Sequence, residues 1–282
     1  MDLRSLADNA RVAWRRRASA NDFVRRLAWL YSHRLPRRWR PQTWTIGFRY
    51  PPPLGFVRLR VRANCGADAF IHSEVFEQQC YRLPLGRAPA TILDLGANIG
   101  LSAVFLARLY PDSRMACVEP MADNVRLLRH NLELNGIVAE VIAAAVDTAD
   151  GIVTMARGER DYAHRIADAA SPQDSLFAVP GLSVPAILRR LGWSRVGLVK
   201  MDVEGHEAAL FAGDCDWLDR VDAMCIEWHG DGGAERLAAL AKRFGFAAPR
   251  QLPIWFMTRH AGALSQNKVS ECASSLDTTK GR

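Results

Sequence analysis

Residues 91–100 read Thr91-Ile92-Leu93-Asp94-Leu95-Gly96-Ala97-Asn98-Ile99-Gly100, an apolar run of strand length that meets an acid and then breaks on glycine. The stretch that follows, Leu101 to Tyr110, has helical length and no breaker. Strand, loop and helix in this order form a turn of nucleotide-binding type. Glycines at 96 and 100 admit a ligand to the backbone, and the helix aims free N–H groups at it. A dinucleotide fingerprint needs G-x-G-x-x-G, whereas these glycines stand as G-x-x-x-G behind Asp94. A carboxylate ahead of the turn suits a ligand with a cationic end, and S-adenosylmethionine carries a sulfonium and an ammonium. The candidate binding turn is therefore Asp94, Gly96, Ala97, Asn98 and Gly100; a glycine turn of purely structural purpose competes with it.

Downstream, Arg114 to Pro120 is another apolar run ending in an acid, and Glu119 lies 25 residues beyond Asp94, the length of one helix and one return strand. An acid at the end of the second strand of a doubly wound sheet can accept two hydrogen bonds from a ribose diol. Its alternative role is a carboxylate at a helix N-terminus. A third strand over 139–146 ends in small residues, leaving room for a flat base beside Ala145. Gly197 to Gly205 and Val221 to Gly230 give the fourth and fifth strands. Alternation sets Lys200, Asp202 and Glu204 on one face, and Glu227 with His229 on one face.

Neighbouring strand ends would bring Asp202, Glu204, Glu227 and His229 together beside the crevice. Asp202 is also a candidate for holding the cofactor. His229 is the first candidate base, because an imidazole is largely neutral near pH 7. Glu204 and Glu227 are the second choice, or orient the histidine, or merely tie down turns. Lys200 is expected to pair with one of these acids. The same four residues could instead hold a divalent cation; their spacing does not decide this, and no metal is assigned.

The chain has 282 residues and 49% apolar composition, enough for one core domain of roughly 200 residues plus extensions. It shows no apolar run of about 18 residues and no signal-type h-region, so a soluble, cytoplasmic protein is expected. Six scattered cysteines without ligand spacing read as reduced core thiols. The net charge of +7 belongs to the N-terminus: residues 1–40 hold 11 Arg against 3 Asp, and the rest 26 basic against 27 acidic residues. A polyanionic partner such as nucleic acid is thus not expected on the core.

Phe23, Leu27, Leu30, Tyr31 and Leu35 fall near one face of a basic amphipathic helix, which suits either contact of residues 1–40 with an anionic membrane or packing on the domain. Prolines at 51–53 place a boundary near residue 55. The expected organisation is an arm over 1–55, a main domain over 56–260 and a flexible tail over 261–282. A half-buried strand over 56–61 and a helix from Ser73 to Tyr81 would cover the mouth of the site. Residues 157–182 lack periodicity and read as a surface insertion over the substrate. Oligomeric state is not legible.

Taken together, Asp94 to Gly100, Val118-Glu119-Pro120, Asn124 with Asn131 and Asn135, the lead-in Asp68 to Tyr81, and above all Val199-Lys200-Met201-Asp202-Val203-Glu204-Gly205-His206-Glu207 with Glu227-Trp228-His229 resemble the FkbM methyltransferase family. The resemblance spans about residues 60 to 245. It implies an α/β fold, a Rossmann-like, doubly wound, seven-stranded class I methyltransferase sheet, with S-adenosylmethionine as cofactor. It also implies methyl transfer, usually to a hydroxyl of a small-molecule secondary metabolite, a sugar or a glycan. A non-catalytic cofactor-binding partner protein and a metal-dependent O-methyltransferase are the alternatives. A nucleic-acid methyltransferase would show N/D-P-P-Y/F after the fourth strand, which is absent.

Overall fold

The computed structural model describes residues 3–32, 36–63, 66–83, 85–156, 165–167, 176–251 and 254–259. The expected tail over 261–282 and much of 157–182 lie outside them. Helices α1 (Leu3–Arg15) and α2 (Ala20–Tyr31) precede a hairpin of β1 (Thr43–Arg49) and β2 (Phe56–Arg62), then a short helix α3 (Ala67–His72). The main unit follows as β3 (Thr91–Leu95), α4 (Leu101–Leu109), β4 (Arg114–Val118), α5 (Ala122–Leu134) and β5 (Ala139–Ile142). Next come β6 (Ala145–Asp147), β7 (Gly151–Ala156), β8 (Arg165–Ile166), β9 (Leu176–Ser183) and α6 (Val184–Leu191). The chain closes with β10 (Leu198–Met201), α7 (Glu207–Leu210), β11 (Ala223–Ile226), α8 (Gly233–Phe244), β12 (Arg250–Gln251) and β13 (Trp255–Thr258).

The principal sheet runs β5-β4-β3-β10-β11-β13-β12. Its first five strands are parallel, while β13 is antiparallel to β11 and to β12. The chain winds outward from β3 to β5, then returns to β10 on the other side of β3. That reversal opens a crevice between β3 and β10 at their carboxyl ends, where doubly wound sheets bind ligands. Strands buried on both faces explain the near-continuous apolar runs. Ile92 belongs to the core shared with α4 and the hairpin, and Leu93 and Leu95 to the core shared with α6 and α8.

Four local expectations are corrected. The strand expected over 139–146 breaks after Ile142, where the Ala144 N–H turns back to the Ile142 carbonyl. Ala145 to Asp147 then joins a second, four-stranded sheet of order β6-β9-β7-β8. Residues 176–183, expected within an irregular insertion, form β9; Pro180 and Gly181 mask the strand pattern. The helix expected over 73–81 starts earlier, as α3, and widens into a π-type turn over Ser73–Glu77, a feature frequent at functional sites.

The fourth correction concerns the arm. The buried face of α2 is Arg26 and Trp29, while Phe23, Leu27 and Leu30 are half-buried. Trp29 Nε1 donates to the Arg62 carbonyl at 2.8 Å, and Arg26 pairs with Glu77 at 3.1 Å alongside Arg16. This helix packs on the hairpin. The boundary expected near residue 55 falls in the hairpin turn, between strands that pair from Thr43↔Arg62 to Arg49↔Phe56.

Helix α5 docks the hairpin through amides. Asn131 accepts from the Arg60 N–H at 2.6 Å and donates to its carbonyl at 3.0 Å, and Asn135 does the same for Arg58 at 3.1 and 2.7 Å. Residues i and i+4 of the helix thus satisfy i and i+2 of the strand edge, which would otherwise be unpaired there. Cys117, Cys215 and Cys225 are buried free thiols. Among the described residues no helix is long and apolar enough to cross a membrane.

Candidate active site

Parallel register sets Lys200 beside Asp94, one residue before the turn. The Lys200 ammonium donates to the Gly96 carbonyl at 2.7 Å and lies 3.2 Å from Asp94 Oδ1 and 3.6 Å from Asp202 Oδ2. Ser102 donates to the other Asp94 oxygen at 2.6 Å. Burial disfavours the charge on Lys200, but the carboxylates of Asp94 and Asp202 outweigh it and raise its pKa above the ordinary value. Asp94 is wholly buried, so its cationic partner is Lys200, where the sequence suggested a ligand's cationic end. Lys200 in turn pairs with Asp94 and Asp202, where the sequence reading paired it with Glu204 or Glu227.

Gly96 also has a different reason from the one read in the sequence. Its φ is +79°, and a Cβ there would stand 1.7 Å from the carbonyl oxygen of Asp202. The glycine lets the end of β10 close on the turn, so the approaching backbone is the protein's own. Gly100 lies against Leu128 of α5, and Ala97 is buried.

Two cavities meet at this point. The first is walled by Gly96, Asn98, Glu119, Met121, Ala145 and Val146, with Met155 and Ile166 of the small sheet across from them. One Glu119 oxygen accepts from the Asn98 N–H at 2.9 Å, and the other from the Met121 N–H at 2.9 Å and the Asn124 amide at 3.0 Å. Burial pushes the Glu119 carboxyl up, and these donors pull it back. His206 also lines this cavity and bonds Asp147 at 2.8 Å. Of the expected binding turn, Gly96 and Asn98 line the first cavity; Ala97 lines the second, and Asp94 and Gly100 line neither.

The second cavity shares Gly96, Asn98, Asp202 and Glu204 with the first and adds Glu74, Tyr81, Lys200, Glu227 and His229. Its cover comes from α3 and the π-type turn, through Phe70, Ile71 and Glu74, and not from the strand over 56–61.

His229 Nδ1 lies 3.0 Å from Glu207 Oε1, and its Nε2 lies 3.8 Å from Glu204 and 3.9 Å from Glu227. The hydrogen bond to Glu207, followed by the charges of Glu207, Asp202 and Glu204, raises His229 to about 9 against the opposing effect of burial. The imidazole is therefore charged at pH 7, contrary to the sequence expectation. Burial and the Asp202 charge push Glu204 up to about 8. Burial, then Glu227 and Asp202, push Glu74 up to about 7. Burial and Asp202 also raise Glu227, which accepts from the Tyr81 hydroxyl at 3.4 Å. Glu204 has φ +53°, a left-handed conformation that non-glycine residues hold at a cost and that clusters at functional sites.

Asp202, Glu207 and His229 each offer one ligand-type atom within 4.8 Å of the others. Their charges are matched internally, Asp202 by Lys200 and Glu207 by His229. Asp202, Glu204, Glu227 and His229, grouped in the sequence reading, line the second cavity together. That reading passed over Glu74, Tyr81, Glu207 and His206; for Glu207 the signal was its place in the Lys200-to-Glu207 motif.

A seven-stranded sheet of this order, with a buried carboxylate closing the second strand and acids closing the fourth and fifth, is a Rossmann-like α/β fold of the class I methyltransferase type. A family model, the methyltransferase FkbM domain, matches residues 94–248, more than half of the chain, and the chain belongs to that family. Methyltransferase 1 of Beauveria bassiana is 27% identical over 208 residues, covering 66% of this chain and 84% of that protein. The 31-O-demethyl-FK506 methyltransferase FkbM of Streptomyces tacrolimicus is 28% identical over 217 residues, covering 65% of this chain and 83% of that protein. The solved structure of the T. thermophilus 16S rRNA N2 G1207 methyltransferase with AdoMet and guanosine gives a TM-score of 0.43 at 14% identity, over 78% of this chain and 52% of that one. The first cavity suits S-adenosylmethionine by its donor set: the Glu119 carboxylate is an acceptor for hydroxyls, and Ala145 and Val146 offer a small apolar wall for a base.

Proposed function

We propose that this enzyme methylates a hydroxyl of a sugar, glycan or secondary metabolite, with the first cavity holding the cofactor and the second the acceptor. The observation that carries the reading is the position of His229 Nε2, facing the second cavity between Glu204 and Glu227, next to the residues that both cavities share. S-adenosylmethionine supplies a methyl group already activated by a sulfonium. The chain's task is to align an oxygen lone pair and remove a proton.

Glu119 would accept the ribose hydroxyls, Ala145 would face the base, and Gly96, Asn98 and Asp202 would border the reacting end. Once it has lost its Nε2 proton, His229 would accept the hydroxyl proton at that nitrogen as the O–CH3 bond forms and the methyl's bond to the sulfonium sulfur breaks, with Glu204 and Glu227 steering the hydroxyl. Cofactor binding alone would not require these acids, which speaks against a non-catalytic partner. The free buried thiols suit a cytoplasmic setting. The Streptomyces relative is named for an O-methylation, which agrees in chemistry with this reading.

The test is transfer from labelled S-adenosylmethionine to hydroxyl-bearing fractions (glycan, lipid, small molecule), run with and without chelator. His229→Ala should lower turnover on the order of 10²–10⁴-fold while leaving S-adenosylhomocysteine affinity within a few-fold. Unchanged turnover rejects His229 as base, and label appearing only in N-methylated products rejects the hydroxyl acceptor.

A further inference from the structure

Glu207 lies outside the cavity wall, on the four-residue helix α7, and its side chain is fully buried. Its Oε1 accepts from the Val203 N–H at 3.1 Å and the Gly205 N–H at 3.4 Å, and meets His229 Nδ1 at 3.0 Å. The two backbone donors fix the carboxylate against the turn that follows β10, so the oxygen facing His229 cannot swing away without leaving them unpaired. An acceptor-only carboxylate at Nδ1 requires a proton on that nitrogen. The other ring nitrogen is left facing Glu204 and Glu227.

We propose that Glu207 is the positioning residue of this site: it holds the proton of His229 on Nδ1 and so reserves Nε2 for the acceptor hydroxyl. The inference rests on the reading of His229 as the base. During transfer to a ring that is neutral at Nε2, the acceptor's O–CH3 bond forms as the methyl's bond to sulfur breaks and S-adenosylhomocysteine is left, the O–H bond breaks and its proton bonds Nε2, and the Nδ1–H stays bonded to Glu207. The imidazolium so formed is stabilised by a buried carboxylate that never touches acceptor or cofactor. A carboxylate behind a histidine plays this part in other proton-transfer sites, where it sets the tautomer without itself becoming protonated. The groups facing the histidine are Glu207 from α7, Asp202 and Glu204 after β10, and Glu227 after β11; Lys200 stands behind Asp202. Of these, Glu207 alone makes a hydrogen bond of ordinary length to the ring.

The experiment is nitrogen-resolved NMR titration of His229 in the full chain with S-adenosylhomocysteine bound, for the parent, Glu207→Gln and Glu207→Asp. The parent should show an elevated His229 pKa and, once neutral, the Nδ1–H tautomer. Glu207→Gln removes the charge at nearly the same shape and keeps an acceptor oxygen against the same two backbone N–H groups, so the pKa should fall by roughly one unit or more while the Nδ1–H tautomer persists. The pH profile of turnover should move to lower pH by the same amount, with S-adenosylhomocysteine affinity within a few-fold. Glu207→Asp keeps the charge and serves where the glutamine variant does not fold; its His229 pKa should lie between the two.

A neutral parent ring that carries its proton on Nε2, or a parent-like pKa in both variants, would overturn the proposal and reduce Glu207 to an anchor of its turn. These readings do not depend on turnover. If His229→Ala keeps full activity while Glu207→Gln shifts the titration, the base assignment fails and the coupling stands.

Discussion

Replacing Gly96 with alanine perturbs the point where cofactor turn and catalytic strand meet, and the structure sets the magnitude. The residue sits at φ +79°, and the added Cβ would lie 1.7 Å from the Asp202 carbonyl oxygen, where real contacts stay above 3.0 Å. The left-handed conformation alone costs a non-glycine residue about 1–2 kcal/mol. Parting two segments of packed backbone adds about 1–3 kcal/mol, the range for overpacked cores. The sum is roughly 2–5 kcal/mol of lost stability. Gly136→Ala is the control: its φ is +64°, with nothing within 4 Å of the new Cβ, so it carries the conformational cost alone. Urea denaturation of both variants separates the clash from the strain. The same displacement moves Gly96 and Asp202 in the wall of the first cavity, so S-adenosylhomocysteine affinity by calorimetry should drop more than ~10-fold, or about 1.4 kcal/mol, in Gly96→Ala and stay parent-like in Gly136→Ala. If Gly96→Ala costs no more than Gly136→Ala and binds like the parent, the close approach of Asp202 is not what the glycine serves.

Turnover should rise with pH and level off above about 9, because Glu204 near 8 and His229 near 9 must release protons before the site can accept one; a profile of kcat/KM falling over that range would refute the assignment. Stability should run the other way. The raised His229 pKa means that its pairing with Glu207 stabilises fully below the ordinary histidine value of 6.5 and is lost as pH climbs through about 9, and ionising the half-buried Glu204 costs stability as pH rises from 4.5 to about 8. The denaturation midpoint should therefore decline between pH 7 and 10, and a rising midpoint would contradict both directions. Glu119→Ala leaves the Asn98 and Met121 N–H groups and the Asn124 amide without their acceptor. Each unmet group costs about 1–3 kcal/mol, so melting temperature and S-adenosylhomocysteine affinity should fall together; loss of neither would remove Glu119 from the binding reading.

The sheet was legible because its strands are buried on both faces. Ile92 to Leu95, Met115 to Val118 and Leu198 to Met201 are runs that only a central parallel strand can place. The acids that follow such runs, Glu119 after β4, Asp202 after β10 and Glu227 after β11, lie at the crevice by position alone, which is why they could be named from the sequence. The small sheet was not legible. Its central strand carries Pro180 and Gly181, which read as loop residues, and it is held by pairing with β6 and β7 rather than by a pattern of its own. The wide turn over Ser73–Glu77 was hidden for a similar reason, since one extra residue in a helical turn leaves the apolar spacing almost unchanged.

Protonation is what the sequence withheld. Residue types and strand ends say which groups meet, but the charge each carries depends on burial and on the nearest partner. Lys200 binds Asp94 because of a strand register between residues 106 positions apart, and that pairing removes Asp94 from the ligand and leaves Asp202 beside both cavities. Glu207 sits on a helix too short to show periodicity, yet it converts His229 from a neutral imidazole into a cation held at Nδ1. Glu74, Glu204 and Glu227 line the same cavity, and burial and the Asp202 charge raise all three, with Glu227 adding to the first two, so further negative charge is resisted there. A site arranged this way resists a second anion, whereas a hydroxyl brings no charge and can donate to the carboxylates around it. If the second cavity holds the acceptor as proposed, this lining would disfavour a phosphorylated one, on grounds that become visible only once the neighbours are known.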